Sequence, residues 1–142
     1  MNEYNINDKE FQKTEIYQKY YEENPTFGNL RIKATAANGA IPISNLKIVV
    51  RKTIDNNNII FFEGTTNSSG LIERIKLPTP KQNPNNLDIP NKTTYDIIAT
   101  YPKENLTLNY QVNMYEDVCV VQNINIVPSL MVSLEVGDIT WQ

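Results

Sequence analysis

Few side chains in this chain have the type and spacing that acid–base or nucleophilic chemistry needs. The 142 residues include no histidine, so the commonest general base and the commonest transition-metal ligand are missing. The carboxylates that could form a catalytic pair are Glu63, Glu73, Glu116 and Asp117. Glu63 and Glu73 are expected to point away from each other in a hairpin. Adjacent Glu116 and Asp117 diverge in a turn, so the sequence does not favour a carboxylate-based hydrolase.

Cysteine and the oxygen-rich segments do not predict a metal site. Cys119 stands alone in the apolar run 118–121, which predicts a buried thiol that acts as a small hydrophobic side chain. The segment 55–58 begins like a calcium loop, but the turn glycine and the closing glutamate are absent. We therefore assign no catalytic, cofactor-binding or metal-binding residue. We expect no cofactor and a protein that is not an enzyme.

The charge balance limits the partners. Thirteen basic and sixteen acidic residues give a net charge of −3, which argues against a broad electrostatic surface for nucleic acid or for anionic lipid. A small local basic patch is compatible with this balance. No signal peptide is visible in the polar first twenty residues, and no apolar stretch approaches the roughly 20 residues that a membrane span needs. We expect no nucleic-acid or membrane partner, and the sequence assigns no compartment.

Apolar and polar residues alternate between residues 28 and 128, which predicts a series of short strands. These strands would position the carboxylates and the cysteine considered above. About seven such strands, separated by turns, predict an all-β fold: a Greek-key β-sandwich. A hairpin over residues 59–77 would place Glu63 opposite Arg74. The residues expected to face inward are Leu30, Ile32 and Ala34, then Leu46, Ile48 and Val50, then Tyr95, Ile97 and Ala99, and finally Ile124 and Ile126.

The terminal segments differ from this pattern. Residues 1–27 are predicted to be an extension, disordered over 1–7 and helical over 8–23, with Asn7 and Glu10 as a capping box. Residues 28–128 form the sandwich domain. Residues 129–142 alternate again and predict an extra edge strand or a segment for self-association. The loop Pro78–Lys92 holds four prolines, and long loops of this kind often carry contacts.

Seven short motifs follow one another in a characteristic order. They are Gly28-Asn29-Leu30-Arg31-Ile32, Asn38-Gly39-Ala40-Ile41-Pro42-Ile43, Asn45-Leu46-Lys47-Ile48-Val49-Val50, Thr65-Thr66-Asn67-Ser68-Ser69-Gly70, Leu77-Pro78-Thr79-Pro80, Thr94-Tyr95-Asp96-Ile97 and Val121-Gln122-Asn123-Ile124-Asn125-Ile126-Val127-Pro128. This order resembles the carboxypeptidase-regulatory-like, or transthyretin-like, β-sandwich. More narrowly, it is similar to the non-catalytic N-terminal domain of clostridial spore cortex-lytic and peptidoglycan-binding proteins. The resemblance implies association with the cell wall.

A related sandwich family, the B-type repeats of Gram-positive adhesins and pilins, forms Lys–Asn isopeptide bonds beside an acidic residue. The nearest equivalents here are Lys33 with Asn123 or Asn125, and Glu63 or Glu73 as the acid. The alternation places Lys33 and both asparagines on the outward side, whereas the reaction needs a desolvated lysine. The sequence therefore argues against this bond.

These observations favour a non-catalytic accessory or binding module of a bacterial cell-envelope or spore-cortex system. Its partner would be cell-wall material or a protein, contacted by strand edges, by the loop Pro78–Lys92 or by the tail. The alternative is a structural subunit or stalk of a larger assembly, such as an adhesin or a phage-like particle. In that case the tail would pair with the next copy. Trp141 would either anchor this contact or cap the rim of the core.

Overall fold

The computed structural model describes residues 2–86 and 88–127, and within these ranges the chain forms nine strands and two short helices. The predicted strand over 129–142 lies outside the described residues. No helix in the described part is long and apolar enough to cross a membrane. In chain order the elements are β1 (Glu3–Asn5), α1 (Lys9–Gln12), α2 (Glu15–Glu23), β2 (Thr26–Ala36), β3 (Ile41–Pro42), β4 (Lys47–Ile54), β5 (Asn57–Thr65), β6 (Leu71–Thr79), β7 (Thr93–Tyr101), a 3-10 turn (Pro102–Glu104), β8 (Leu106–Met114) and β9 (Cys119–Asn125).

The strands form two sheets. The first sheet has five strands in the order β1-β5-β4-β7-β8. The second sheet is built around β2, which pairs antiparallel with β6 and β3 and parallel with β9. The predicted fold class, an all-β, transthyretin-like sandwich with a short N-terminal helical segment, is therefore confirmed. The short strands β1 and β3 are additions to the roughly seven strands predicted.

The core lies between the two sheets, where the inward-facing residues of each strand meet. All of the side chains predicted to face inward are buried, and Leu30, Ile32 and Ala34 of β2 are fully so. Burial of one such Leu or Ile side chain contributes about 1.5–3 kcal/mol before the entropy cost of ordering it. The period of two in the sequence thus identified the core correctly.

The connection between β5 and β6 corrects the hairpin predicted over 59–77. Glu63 is opposite Val49 in the first sheet, whereas Arg74 belongs to β6 of the second sheet. The chain crosses between sheets at Gly70, whose φ is +76° and whose added Cβ would lie 2.4 Å from the carbonyl oxygen of Ala34. Only glycine fits there without strain. The predicted cross-strand pair of Glu63 with Arg74 is therefore wrong.

The segment 55–58, which begins like a calcium loop, is the tight turn between β4 and β5. Asp55 and Asn56 both have positive φ, at 49° and 63°, and the flanking residues Ile54 and Asn57 pair in register. Two consecutive left-handed residues define a type I′ turn, in which Asn and Asp are favoured. The polar residues here serve the hairpin.

The N-terminal segment is ordered and adds to the sandwich. The predicted disorder over 1–7 is wrong, because β1 pairs in parallel with β5. The stretch 8–23, predicted as one helix, is divided into α1 and α2 at Thr14, whose hydroxyl accepts the N–H of Tyr17 and donates to the carbonyl of Phe11. The N-cap of α1 is Asp8 instead of Asn7.

Two tyrosine hydroxyls attach α2 to the core. The hydroxyl of Tyr20 donates to that of Tyr95 at 2.7 Å, and the Tyr95 hydroxyl donates to the carbonyl of Pro78 at 2.5 Å. Burial raises the pKa of both hydroxyls well above the usual value for tyrosine. Both groups therefore keep their protons and act as donors, linking α2, β7 and β6.

The loop that follows β6 is shorter than predicted, since Pro78 and Thr79 belong to the strand. Its base is closed by the side chain of Gln82, which donates to the carbonyl of Asn91 and accepts the backbone N–H of the same residue. The loop is therefore anchored at its two ends.

Replacement of Tyr95 by Phe should destabilise the protein by roughly 1–3 kcal/mol, because it leaves a buried carbonyl and a buried hydroxyl without their partner. Urea unfolding followed by fluorescence measures this change. The control is Tyr101→Phe, since Tyr101 is half-buried and no hydrogen bond of its hydroxyl is found in the described ranges. Equal loss in the two variants would contradict the role given to the Tyr95 hydroxyl.

Candidate functional site

The outward side of the second sheet carries a cluster of cations. Arg31 and Lys33 alternate with the buried residues of β2, and Arg74 and Lys76 alternate with buried Ile75 and Leu77 of β6. Strands pair at a spacing of about 4.8 Å, and outward residues repeat about every 6.7 Å along a strand. The backbone thus gathers the four basic residues on neighbouring strands. We call Arg31, Lys33, Arg74 and Lys76 the basic face.

A β-bulge shapes the middle of the basic face. Leu30 pairs with Ile75 and Ile32 pairs with Ile72, so two residues of β6, Glu73 and Arg74, lie opposite Arg31. Both are exposed. The bulge adds one carboxylate to the face, which leaves three net positive charges there.

An aromatic contact orients one of the four cations. The Nζ of Lys76 lies 4.3 Å from the ring centroid of Phe27, which is a cation–π distance. This contact holds the lysine stem along the sheet. It does not neutralise the charge, so the ammonium remains available to an anion.

Within residues 2–86 and 88–127, no counter-charge is in direct contact with the basic face. In the part of the chain that the structure describes, the one ion pair joins Lys13 to Glu10 on α1. Glu73 is exposed and is not paired with any of the four cations there. The positive charge of this face is therefore directed to solvent.

The first sheet offers an internal comparison. Its outward side includes Lys47 and Arg51, but also Glu3, Glu63 and Asp96, so it has no excess of positive charge. Asp96 is opposite Arg51 in register and accepts a hydrogen bond from Gln111 at 3.2 Å. The positive charge is thus confined to the second sheet, despite the net charge of −3.

A polar hollow of about 400 Å³ adjoins the basic face where β2 meets β9. Lys33 is opposite Asn123, and Thr35 is opposite Asn125. An ammonium donates to carboxylate or phosphate oxygens, and the amide side chains can both donate to and accept from hydroxyl groups. This combination suits an anionic, hydroxylated ligand.

The structure brings together some of the residues singled out in the sequence. Lys33 and Asn123 are neighbours, as the isopeptide comparison required, but both are exposed, as the alternation predicted. Glu73 is on β6, and Glu63 belongs to the other sheet. A solvated lysine is not the reactive amine that an isopeptide bond needs.

The remaining carboxylates have local structural roles. Glu116 accepts the N–H of Gln82 at 2.8 Å, and Asp117 occupies a left-handed turn position with φ of 57°. Among the described residues, no three His, Cys, Asp or Glu side chains come together as a metal site requires.

Cys119 corrects a sequence prediction. The thiol is exposed, not buried, and its residue is opposite Asn29 at the start of β9. The run 118–121 is apolar on both sides, so its composition could not show which side faces solvent. The register with β2 places Cys119 and Val121 outward.

Sequence reasoning identified Lys33 but not the other cations of the basic face. A signal was present in the sequence: residues 26–54 contain five basic and no acidic residues. The contribution of Arg74 and Lys76 could not be found in this way, because it depends on the pairing of β6 with β2.

Comparison with known proteins gives remote structural similarities. No family model matches the sequence, and no curated protein matches it. A solved structure of Klebsiella pneumoniae 5-hydroxyisourate hydrolase is similar over 69% of this chain and 90% of that chain, with 12% identity and a TM-score of 0.47. A structure of (S)-allantoin synthase is similar over 72% of this chain and 42% of that longer chain, with 13% identity and a TM-score of 0.47.

These similarities correct one expectation and leave another without support. The expectation of a protein that is not an enzyme, which rested on the missing histidine and the separated carboxylates, is withdrawn: both similar proteins bear the names of enzymes, and no activity passes from them to this chain. Neither similarity assigns a substrate or a site to this chain. Neither protein is named as a spore cortex-lytic or peptidoglycan-binding protein, so that narrower resemblance gains no support.

The exposure of Cys119 predicts fast reaction with a thiol reagent. We expect the folded protein to react with dithionitrobenzoate within a few-fold of the rate of the chain in guanidinium. A strongly protected thiol would contradict the outward orientation of Cys119 in β9.

The exposure of Lys33 predicts that no isopeptide bond forms, so the intact mass of the unlabelled protein should equal the sequence mass. Loss of one ammonia would instead indicate a Lys33 isopeptide bond.

Proposed function

We propose that this chain is a binding module of a bacterial envelope system, and that the basic face with its adjoining polar hollow holds an anionic glycan or other anionic wall polymer. One observation carries the proposal: four cations that have no direct counter-charge in the described ranges share one sheet face, in a chain whose net charge is negative. The envelope setting itself comes from the resemblance in motif order, which includes spore cortex among the possible materials.

The chemistry of the basic face suits a polymer better than a small ligand. A single exposed ion pair contributes about 0–1 kcal/mol, so one contact would not retain a ligand. Several cations at a fixed spacing can contact successive anions of one chain. Arg31 and Arg74 can bind carboxylate or phosphate in bidentate fashion, while the amides of Asn123 and Asn125 can bind hydroxyl groups.

Co-sedimentation with vegetative peptidoglycan and with spore cortex tests this proposal. We expect saturable retention on one of these materials, weakened in high salt because the contacts are exposed. The variant Arg31→Gln/Lys33→Gln should bind about tenfold more weakly, which corresponds to about 1.4 kcal/mol.

The matched control is Lys47→Gln/Lys103→Gln. It removes the same charge from exposed positions on the first sheet and on the 3-10 turn. The control should bind as the unmodified protein does. Retention on neither material, or an equal loss in the two double variants, would overturn the proposal.

A second candidate, a structural subunit of a larger assembly, is favoured by the edge of β9. In the described ranges β9 pairs with β2 and with no other strand. The exposed fractions of Val118, Val121 and Val127 are 43%, 50% and 43%. An open edge with apolar side chains is suited to strand addition by another chain.

Sedimentation velocity over a range of concentrations tests the second candidate. We expect concentration-dependent assembly that disappears when residues 129–142 are deleted. A monomer at every concentration, with or without these residues, would contradict it.

A further inference from the structure

A cavity of about 400 Å³ lies between α2 and the adjoining ends of β4 and β7. Its lining combines polar and apolar groups and includes two amines, Lys52 and Lys92, and one carboxylate, Glu23. Neither amine belongs to the basic face. The cavity therefore offers a second site, independent of the function proposed above.

Lys52 occupies an unusual position for a lysine. It continues the inward row of β4 that begins with Ile48 and Val50, so its stem lies on the core side of the strand. Its Nζ donates to the carbonyl of Thr94 at 2.8 Å and lies 5.8 Å from the ring centroid of Tyr95. Burial lowers the pKa of this amine, and the charge of Asp96 opposes that shift in part.

The ammonium of Lys52 has no counter-ion in the part of the chain that the structure describes. It has three N–H donors, and the carbonyl of Thr94 accepts one of them. No ion pair of Lys52 occurs among the described residues. A half-buried cation without an ion-pair partner is costly, and an anion in the cavity would reduce that cost.

The neutral side chains of the cavity are already occupied. The Asn24 amide donates to the carbonyl of Tyr20 at 3.0 Å and accepts the hydroxyl of Thr93 at 2.5 Å. These bonds fix the wall between α2 and β7. The two amines are the positive groups of a lining that is otherwise held in place.

We propose that Lys52 and Lys92 bind the oxyanion of a small molecule, a carboxylate or a phosphate, in this cavity. The anion accepts hydrogen bonds from both amines and supplies the charge that Lys52 lacks. Glu23 in the same lining opposes the anion and limits its net charge.

Titration of the whole protein with succinate and, separately, with inorganic phosphate at constant ionic strength tests the proposal. Backbone amide resonances report binding by residue. We expect saturable shifts at residues 20–24, 52–54 and 92–94 with at least one probe, and the probe that binds more tightly identifies the anion class. No saturable shift with either probe would overturn the proposal.

Four variants make the test specific to the site. Lys52→Met should weaken binding at least tenfold, and Lys92→Met should weaken it less, since Lys92 is exposed. Glu23→Gln should strengthen it several-fold by removing repulsion. Lys103→Met, which lies on the 3-10 turn outside the cavity lining, should bind as the unmodified protein. Unchanged affinity in both Lys52→Met and Lys92→Met would overturn the proposal.

The Lys52→Met variant should also remain folded. Methionine has a similar length and extends the apolar row of β4, which offsets the loss of the donor to the Thr94 carbonyl. We therefore expect a urea midpoint close to that of the unmodified protein. Loss of binding in a fully stable variant would show that Lys52 serves the ligand. If that variant is less stable, Lys92→Met carries the test, because its side chain lies at the surface.

Discussion

The pairing of β2 with three other strands is the constraint on which the second sheet depends. Its inward residues Leu30, Ile32 and Ala34 are fully buried, while Arg31 and Lys33 alternate with them. A shift of one residue in register would bury both cations and expose the apolar set. The core therefore fixes the direction of the basic face, and the strand most central to this sheet is also the one that presents charge.

Alternation predicted this architecture well because it is a local signal that burial on one side imposes. The inward residues of β2, β4, β7 and β9 could be identified without knowledge of any partner strand. Pairing could not be predicted in the same way. The crossing at Gly70 looks like a hairpin turn in the sequence, yet it moves the chain to the other sheet. For this reason Glu63 and Arg74 were placed together wrongly.

The candidate sites show the same division between local and long-range information. The outward positions of Arg31 and Lys33 follow from β2 alone. Arg74 comes to lie opposite Arg31 through the pairing with β6, and Asn123 opposite Lys33 through the pairing with β9. Lys52 could have been found by extending the inward row of β4 by two residues. It was missed because a lysine at the end of an apolar row is usually assigned to the surface. Both sites contain cations that form no ion pair with another described residue.

The parallel pairing of β2 with β9 has a mechanical consequence. A pull applied to the first residue of β2 and the last residue of β9 acts in opposite directions along two strands that run the same way. Such a load shears the whole ladder at once, so its hydrogen bonds share the force. In an antiparallel hairpin pulled from its open end, the bonds would rupture one after another. The second sheet is thus arranged to resist extension, a useful property for a domain anchored at one end and loaded at the other.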